Sequence, residues 1–90
     1  MMGEKDRCFI CGSSQWLEKH HVFGGANRKL SEKYGLTVML CHYCHNEPPD
    51  GVHFNRANMD ALRQTAQKWA MDKYGWTVED FIKIFGRNYL

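Results

Sequence analysis

The sequence predicts a small α+β domain that consists of a β-hairpin, a following helix and a C-terminal helical extension. Two CxxC pairs bracket two segments, 16–23 and 36–41, which are rich in the β-branched and aromatic residues that favour strands. From Arg56 onward the apolar residues recur at helical spacing. A chain of 90 residues has the size of one domain, so we expect a single domain over residues 1–90, with the extension over residues 56–90.

Composition indicates a folded protein and leaves its partners open. Hydrophobic residues make up 43% of the chain and aromatic residues 13%, which argues against disorder. The formal net charge of +2 and the pI near 8.4 permit a nucleic-acid partner without requiring one. No segment has the apolar core of a signal peptide or the apolar length of a membrane span. We therefore expect a soluble, cytoplasmic protein.

The predicted hairpin has an irregular connection. Its first strand ends at Gly24 and Gly25, because paired glycines interrupt regular structure. Residues 28–35 are basic and polar, and they predict either a loop or one helical turn. The second strand runs directly into the second CxxC pair, after which Pro48 and Pro49 predict an irregular surface turn or a helix cut short.

Two helices are predicted in the extension. The longer helix begins at Arg56 and ends at Gly75, a residue type suited to the left-handed position that follows a helix. Thr77 and Asp80 have the spacing of a capping box at the start of a second helix, which would end at Gly86. The apolar residues of both helices are expected to close the core.

The four cysteines form two CxxC pairs separated by 29 residues, namely Cys8, Cys11, Cys41 and Cys44. Each pair supplies two thiolates from one tight turn, and two such turns complete a tetrahedron around Zn²⁺. Small domains bury little apolar surface and often need a bound metal or disulfides for stability. Thiols stay free in a reducing compartment, so we predict a structural zinc. Two alternatives remain open: a pair of disulfides in a secreted miniprotein, or a site in which His42 or His45 replaces one cysteine.

All five histidines lie between His20 and His53, around the second CxxC pair. A single histidine is more often an ordinary surface or core residue than a ligand, but this clustering indicates a shared site. The segments CFIC, KHHVFGG, LTVMLCHYCH and GVHFN resemble the HNH endonuclease family, whose core is a ββα-metal fold often bracketed by two CxxC pairs. The likeness is greatest to short phage and prophage HNH proteins and looser to the RecA-dependent recombination-enhancing nucleases.

The resemblance implies a zinc-stapled ββα-metal (HNH) domain over residues 8–55 and assigns roles by position. His21 would be the general base, while His20 and His45 would bind a divalent catalytic metal. The last ligand position of the family falls at Pro49, which cannot coordinate a metal. His53 is the nearest replacement, and a structural or supporting role is its alternative.

Two features of the expected site depart from a simple match. The position of the motif asparagine, which fixes the loop beside the base, is occupied by Leu36, and Asn27 or Asn46 would have to take its place. In addition, consecutive residues of a strand face opposite sides, so His20 and His21 can line one cavity only at a bulge or at the strand's end.

The expected chemistry is phosphodiester hydrolysis. A neutral imidazole, with an ordinary pKa of about 6.5, can accept a proton from water near pH 7. An imidazole-rich site suits Mn²⁺, Co²⁺, Ni²⁺ or Zn²⁺ as well as Mg²⁺, so the metal stays open. Phosphate contacts are expected from Arg28, Lys29, Lys33 and Arg56, although each could equally be a solvated surface side chain.

Together these features predict a metal-dependent endonuclease that nicks or cleaves DNA. The resemblance suggests a role in phage DNA processing or recombination, inside a bacterium or a phage-infected host. A recombination or replication protein is expected as a further partner, and no membrane association is expected. One alternative is a zinc-bound nucleic-acid-binding module without catalysis. Another is a zinc-stapled adaptor for protein interactions.

Overall fold

The computed structural model describes all 90 residues and confirms the α+β class. Two antiparallel strands and four α-helices form the fold, with one short 3-10 helix in the hairpin connection. In chain order the elements are β1 (Leu17–His21), the 3-10 helix (Gly25–Asn27), α1 (Arg28–Tyr34), β2 (Thr37–Cys41), α2 (His42–Asn46), α3 (Arg56–Tyr74) and α4 (Val78–Phe85).

The two predicted strands form the sheet, with Leu17 opposite Cys41 and His21 opposite Thr37. Their connection is more regular than the sequence suggested, because residues 28–34 form the helix α1 rather than a loop or a single turn. Ser31 anchors this helix: its Oγ accepts a hydrogen bond from the Phe23 N–H (3.1 Å) and donates one to the Phe23 carbonyl (2.7 Å). α1 is thereby fixed against the end of β1.

The second CxxC pair starts a helix of its own. Cys41 is the N-cap of α2, and its Sγ accepts from the backbone N–H of Cys44 at 3.5 Å. α2 ends at Asn46, and the following loop folds back along it, with the Val52 N–H bonded to the Cys44 carbonyl at 2.8 Å. Gly51 makes this return possible, because a Cβ there would lie 2.6 Å from the backbone nitrogen of Glu47.

The two helices of the extension form at the expected positions. α3 begins at Arg56 and ends at Gly75, whose φ of 67° is left-handed. Thr77 and Asp80 make the complete capping box of α4, with both reciprocal hydrogen bonds present. α4 ends at Gly86. No helix of the protein combines the length and apolar character needed to cross a lipid bilayer.

The core lies between the sheet and the helical extension. Val38 and Leu40 of β2 are fully buried, and so are Ala66 and Ala70 of α3. The Phe23 ring, just beyond β1, packs against two rings of α4, Phe81 at 5.5 Å and Phe85 at 5.0 Å between centroids. This packing fixes the end of β1, where the paired histidines lie, against α4.

Candidate functional site

The four cysteines converge on one point, and all four are free thiols. Their Sγ atoms lie within 4.8 Å of one another, and the Cys11 and Cys41 sulfurs are 3.6 Å apart. A regular tetrahedron with Zn–S distances of about 2.3 Å has edges of about 3.8 Å. The cluster therefore has the dimensions of a structural zinc site, and its free thiols argue against the disulfide alternative. His42 and His45 bond to Glu18 instead of joining the cluster.

Backbone donors and burial set the charge of these thiols. Burial opposes ionisation of Cys8, but N–H groups of Cys11, Cys41 and Ile10 outweigh it and lower the pKa of Cys8 to about 6. Burial raises the pKa of Cys44, and the neighbouring sulfurs raise it further. Four thiolates in so small a volume repel one another, so a divalent cation is the group that would stabilise their joint ionisation.

A second cluster brings together three of the histidines. Nδ1 of His20 lies 3.2 Å from Nε2 of His45, which lies 3.0 Å from Nε2 of His53. The three ligand atoms are all within 4.8 Å of one another. Nitrogen ligands placed about 2.0–2.1 Å from a tetrahedral metal are separated by about 3.3 Å, so these distances suit a divalent ion.

Three separate elements supply this cluster. His20 comes from the end of β1, His45 from the last turn of α2, and His53 from the returning loop. The His53 N–H donates to the His45 carbonyl at 3.2 Å, which aligns the loop with α2. The loop after α2 thus folds back and brings His53 to the cluster, in place of Pro49, which cannot coordinate a metal.

Burial favours the neutral form of two of the three imidazoles, those of His20 and His53. It lowers the pKa of His20 to about 3, and the neighbouring imidazoles of His45 and His53 add to the shift. Burial also lowers the pKa of His53. Neutral imidazole is the form that binds metals. Nε2 of His20 is buried without a hydrogen-bond partner, a cost that a bond between Nδ1 and a metal would offset.

Glu18 links this cluster to a further histidine. One carboxylate oxygen accepts from Nδ1 of His45 at 2.8 Å, and the other accepts from Nδ1 of His42 at 3.0 Å. Both hydrogen bonds lower the pKa of Glu18, and the one from His45 has the larger effect. The hydrogen bond to the carboxylate places a proton on Nδ1 of His45, so the form of this ring that can bind a metal has its free lone pair on Nε2, toward His20 and His53. His42 also reaches Glu47 at 2.9 Å, so carboxylates occupy both of its nitrogens.

His21 shares a polar cavity of about 260 Å³ with the histidine cluster. The strand register is regular through His21, so no bulge is present and the side chains of His20 and His21 keep opposite directions. Both line the cavity because β1 ends there. No hydrophobic residue lines the cavity; its residues are Lys19, His20, His21, Gly24, Gly25, Arg28, His45 and His53.

The four basic residues predicted to contact phosphate lie in different places relative to the histidine cluster. Arg28, at the start of α1, lines the cavity. Lys29 and Lys33 are exposed on the same helix outside it, and the Lys33 ammonium lies 5.3 Å from the Tyr34 ring centroid. Arg56 lines a neighbouring cavity, which also contains His53. The structure therefore brings one of the four directly to the histidines.

Neither candidate for the motif asparagine contacts the expected base. The Asn27 amide donates to the Phe85 carbonyl at 2.9 Å, and the Asn46 amide donates to Glu18 at 3.0 Å. Leu36 is fully buried in the core. The side chain that does contact His21 is Glu32, whose Oε2 lies 2.7 Å from the His21 Nε2.

Sequence reasoning missed three charged residues of the site: Glu18, Lys19 and Glu32. For Glu18 a signal existed, since it stands two residues before His20 and so shares its side of a strand. Lys19 has the same relation to His21. Glu32 has no local signal, because its position depends on how α1 packs.

Comparison with family models, with curated proteins and with solved structures finds no match to this chain.

Proposed function

We propose that this chain is a metal-dependent endonuclease of the HNH type, which hydrolyses phosphodiester bonds of DNA. One observation carries the proposal: three imidazoles with metal-site spacing share a polar cavity with a fourth imidazole, that of His21, and with Arg28. The cysteine cluster supports the same scaffold as a structural zinc site.

The histidine cluster is the place for the catalytic metal. His20, His45 and His53 would hold a divalent cation such as Mg²⁺, Mn²⁺, Ni²⁺ or Zn²⁺. When bound, such a cation supplies Lewis acidity at the phosphate. Three protein ligands leave further coordination positions for substrate and water, whereas the four thiolates of the other site would leave none.

The remaining residues of the cavity have complementary roles. His21 accepts the proton of the attacking water, as a general base must lie within reach of that proton. The Arg28 guanidinium neutralises charge that accumulates on the phosphate oxygens. Lys29 and Lys33 extend this positive surface along α1, and Arg56 extends it on the side of His53. These contacts hold the nucleic-acid backbone without reading its sequence.

The biological setting follows from the resemblance to phage-type HNH proteins. We infer a role in phage DNA processing or recombination, with DNA as the principal partner and a recombination or replication protein as a second.

Incubation with supercoiled plasmid in the presence of Mg²⁺, Mn²⁺ or Ni²⁺ tests the proposal. The wild type is expected to nick the plasmid. His21→Ala is expected to lose about 100-fold or more of this activity, because general-base catalysis contributes about 10² to 10⁴. Gln64→Ala, an exposed polar substitution on α3, serves as the matched control and is expected to nick normally.

The assay also separates the alternatives. Binding of plasmid without nicking under every metal would favour a nucleic-acid-binding module. Neither binding nor nicking would favour a protein-interaction adaptor. Equal nicking by wild type and His21→Ala would point to a contaminating nuclease and contradict the assignment of the base.

A further inference from the structure

The imidazole of His21 is held by a carboxylate from a different element. Oε2 of Glu32, in α1, lies 2.7 Å from Nε2 of His21. The other oxygen of the same carboxylate accepts from the Lys19 ammonium at 2.8 Å. Lys19 and His21 lie on the same side of β1, two residues apart, so the strand and the helix face each other across this chain of three polar side chains.

The geometry points to Glu32 as a positioning residue that acts through His21 and selects Nδ1 of that ring as the basic atom. This inference rests on the proposed function, since it names the atom that would take the proton. The motif asparagine, which would fix the loop beside the base His21, is replaced by Leu36, so the family pattern itself supplies no residue for this role.

The hydrogen-bonding capacity of the two groups fixes the position of the proton between them. An ionised carboxylate accepts hydrogen bonds and donates none, so the proton of this contact resides on Nε2 of His21. The pKa of Glu32 is lowered by the hydrogen bond from Lys19 and by that from His21, which keeps the carboxylate ionised. A neutral His21 ring then has its free lone pair on Nδ1. Nδ1 is therefore the only ring atom that can accept a proton from water.

The contact orients the ring more than it stabilises the fold. The side chains of Lys19 and Glu32 are 44% and 54% exposed, and exposed ion pairs contribute little to folding free energy. The His21 side chain is only 16% exposed, so its rotation is restricted on the other sides. A base whose ring is oriented by a third group is the usual arrangement in catalysis by imidazole.

No other side chain takes this role. His21 has a single side-chain hydrogen bond, the one to Glu32. Asn27 and Asn46 bond elsewhere, to the Phe85 carbonyl and to Glu18. The residue that fixes the base thus comes from α1, in the connection between the strands.

Nuclear magnetic resonance of ¹⁵N-imidazole-labelled, zinc-loaded protein tests the contact without reference to activity. In the wild type, the His21 Nε2–H proton is expected to give a downfield signal protected from exchange, as a hydrogen bond to a carboxylate produces. Glu32→Ala is expected to abolish this signal, and Glu32→Gln to move it upfield while the ring stays in place. Glu4→Gln, an exposed glutamate distant in sequence, is the control and should leave it unchanged.

Kinetics on plasmid test the consequence. Glu32→Ala is expected to lower kcat about 10- to 100-fold with KM unchanged, and Glu32→Gln is expected to recover most of the loss. Zinc content and circular dichroism establish that each variant is folded. If Glu32→Ala fails to fold, the upfield shift of the His21 Nε2–H signal in Glu32→Gln provides the test.

The outcomes distinguish this inference from the proposed function. A His21 signal that does not respond to Glu32→Ala overturns the inference, as does a rise in KM with kcat intact. If the signal depends on Glu32 but the wild type cleaves no DNA, the orientation of His21 stands and the nuclease proposal fails.

Discussion

Glu18 Oε1 accepts a hydrogen bond from Nδ1 of His45 at 2.8 Å, and this contact turns the opposite nitrogen of the ring toward His20 and His53. A carboxylate behind a metal-binding imidazole fixes the tautomer and raises the basicity of the ligand nitrogen. Glu18 and His20 lie on one side of β1, two residues apart. One short strand therefore supplies both a ligand of the cluster and the residue that orients another ligand.

We predict that Glu18→Gln weakens binding of the exchangeable metal about 10- to 100-fold, because the neutral amide no longer polarises His45. The structural zinc should be retained. Titration of the zinc-loaded protein with Ni²⁺ or Mn²⁺ measures the affinity. Glu47→Gln is the matched control, since Glu47 contacts His42 but not His45. Identical affinities for wild type and Glu18→Gln would show that the carboxylate does not support the site.

Metal removal should reveal two classes of site. We predict one tightly held zinc per chain at the cysteines, three of which are buried, and one exchangeable divalent ion at the histidines, which line an open cavity. A mild chelator should remove only the second ion, with loss of nicking and retention of the fold. Metal analysis and circular dichroism before and after chelation measure this. Simultaneous loss of both metals and of helical structure would contradict the prediction.

Cys11→Ser should unfold the protein. Cys11 is exposed, so the substitution removes little packing and reports almost entirely on the metal. Zinc binding at a structural site contributes on the order of 10 kcal/mol, which matches the whole stability of about 5–15 kcal/mol of a small domain. Circular dichroism and zinc content test this. Ser14→Ala, at an exposed position three residues further along the chain, should remain folded and loaded. A folded Cys11→Ser variant would show that zinc has no structural role.

The parts of this fold that could be predicted are those encoded in neighbouring residues. The capping box of Thr77 and Asp80 depends on a spacing of three, and it forms as expected. The cysteine cluster depends on two CxxC turns, and the second strand, Thr37–Cys41, depends on a run of apolar residues that includes Val38. Each of these patterns is local, so the sequence displays it directly.

The parts that could not be predicted depend on packing between distant segments. Glu32 reaches His21 because Ser31 fixes α1 to the Phe23 backbone, and no spacing rule encodes that contact. A helix after the hairpin was expected, but its start inside the second CxxC pair was not, because histidine and tyrosine are weak helix formers and the cap is a cysteine sulfur.

Gly51→Ala should damage the histidine cluster without unfolding the domain. A Cβ at residue 51 would lie 2.6 Å from the Glu47 nitrogen and 2.7 Å from its carbonyl oxygen, and backbone atoms cannot rotate away. The returning loop must shift, and His53 shifts with it. We expect at least a tenfold loss of affinity for the exchangeable metal, about 1.4 kcal/mol, with an unchanged far-ultraviolet spectrum. Phe54→Ala is the control, since this exposed side chain lies in the same loop; normal affinity in Gly51→Ala would show that the loop does not place His53.

Leu36→Asn should destabilise the protein rather than restore the motif asparagine of the HNH pattern. Leu36 is fully buried, and asparagine has a similar branched shape, so the substitution replaces apolar contacts in the core by an amide without partners. Loss of a buried leucine side chain costs about 1.5–3 kcal/mol, and an unpaired buried amide costs about 1–3 kcal/mol more. Urea unfolding measures the loss, with Leu90→Asn at the exposed C-terminus as the control. Gain of nicking activity by Leu36→Asn with undiminished stability would mean that Glu32 does not replace the missing asparagine.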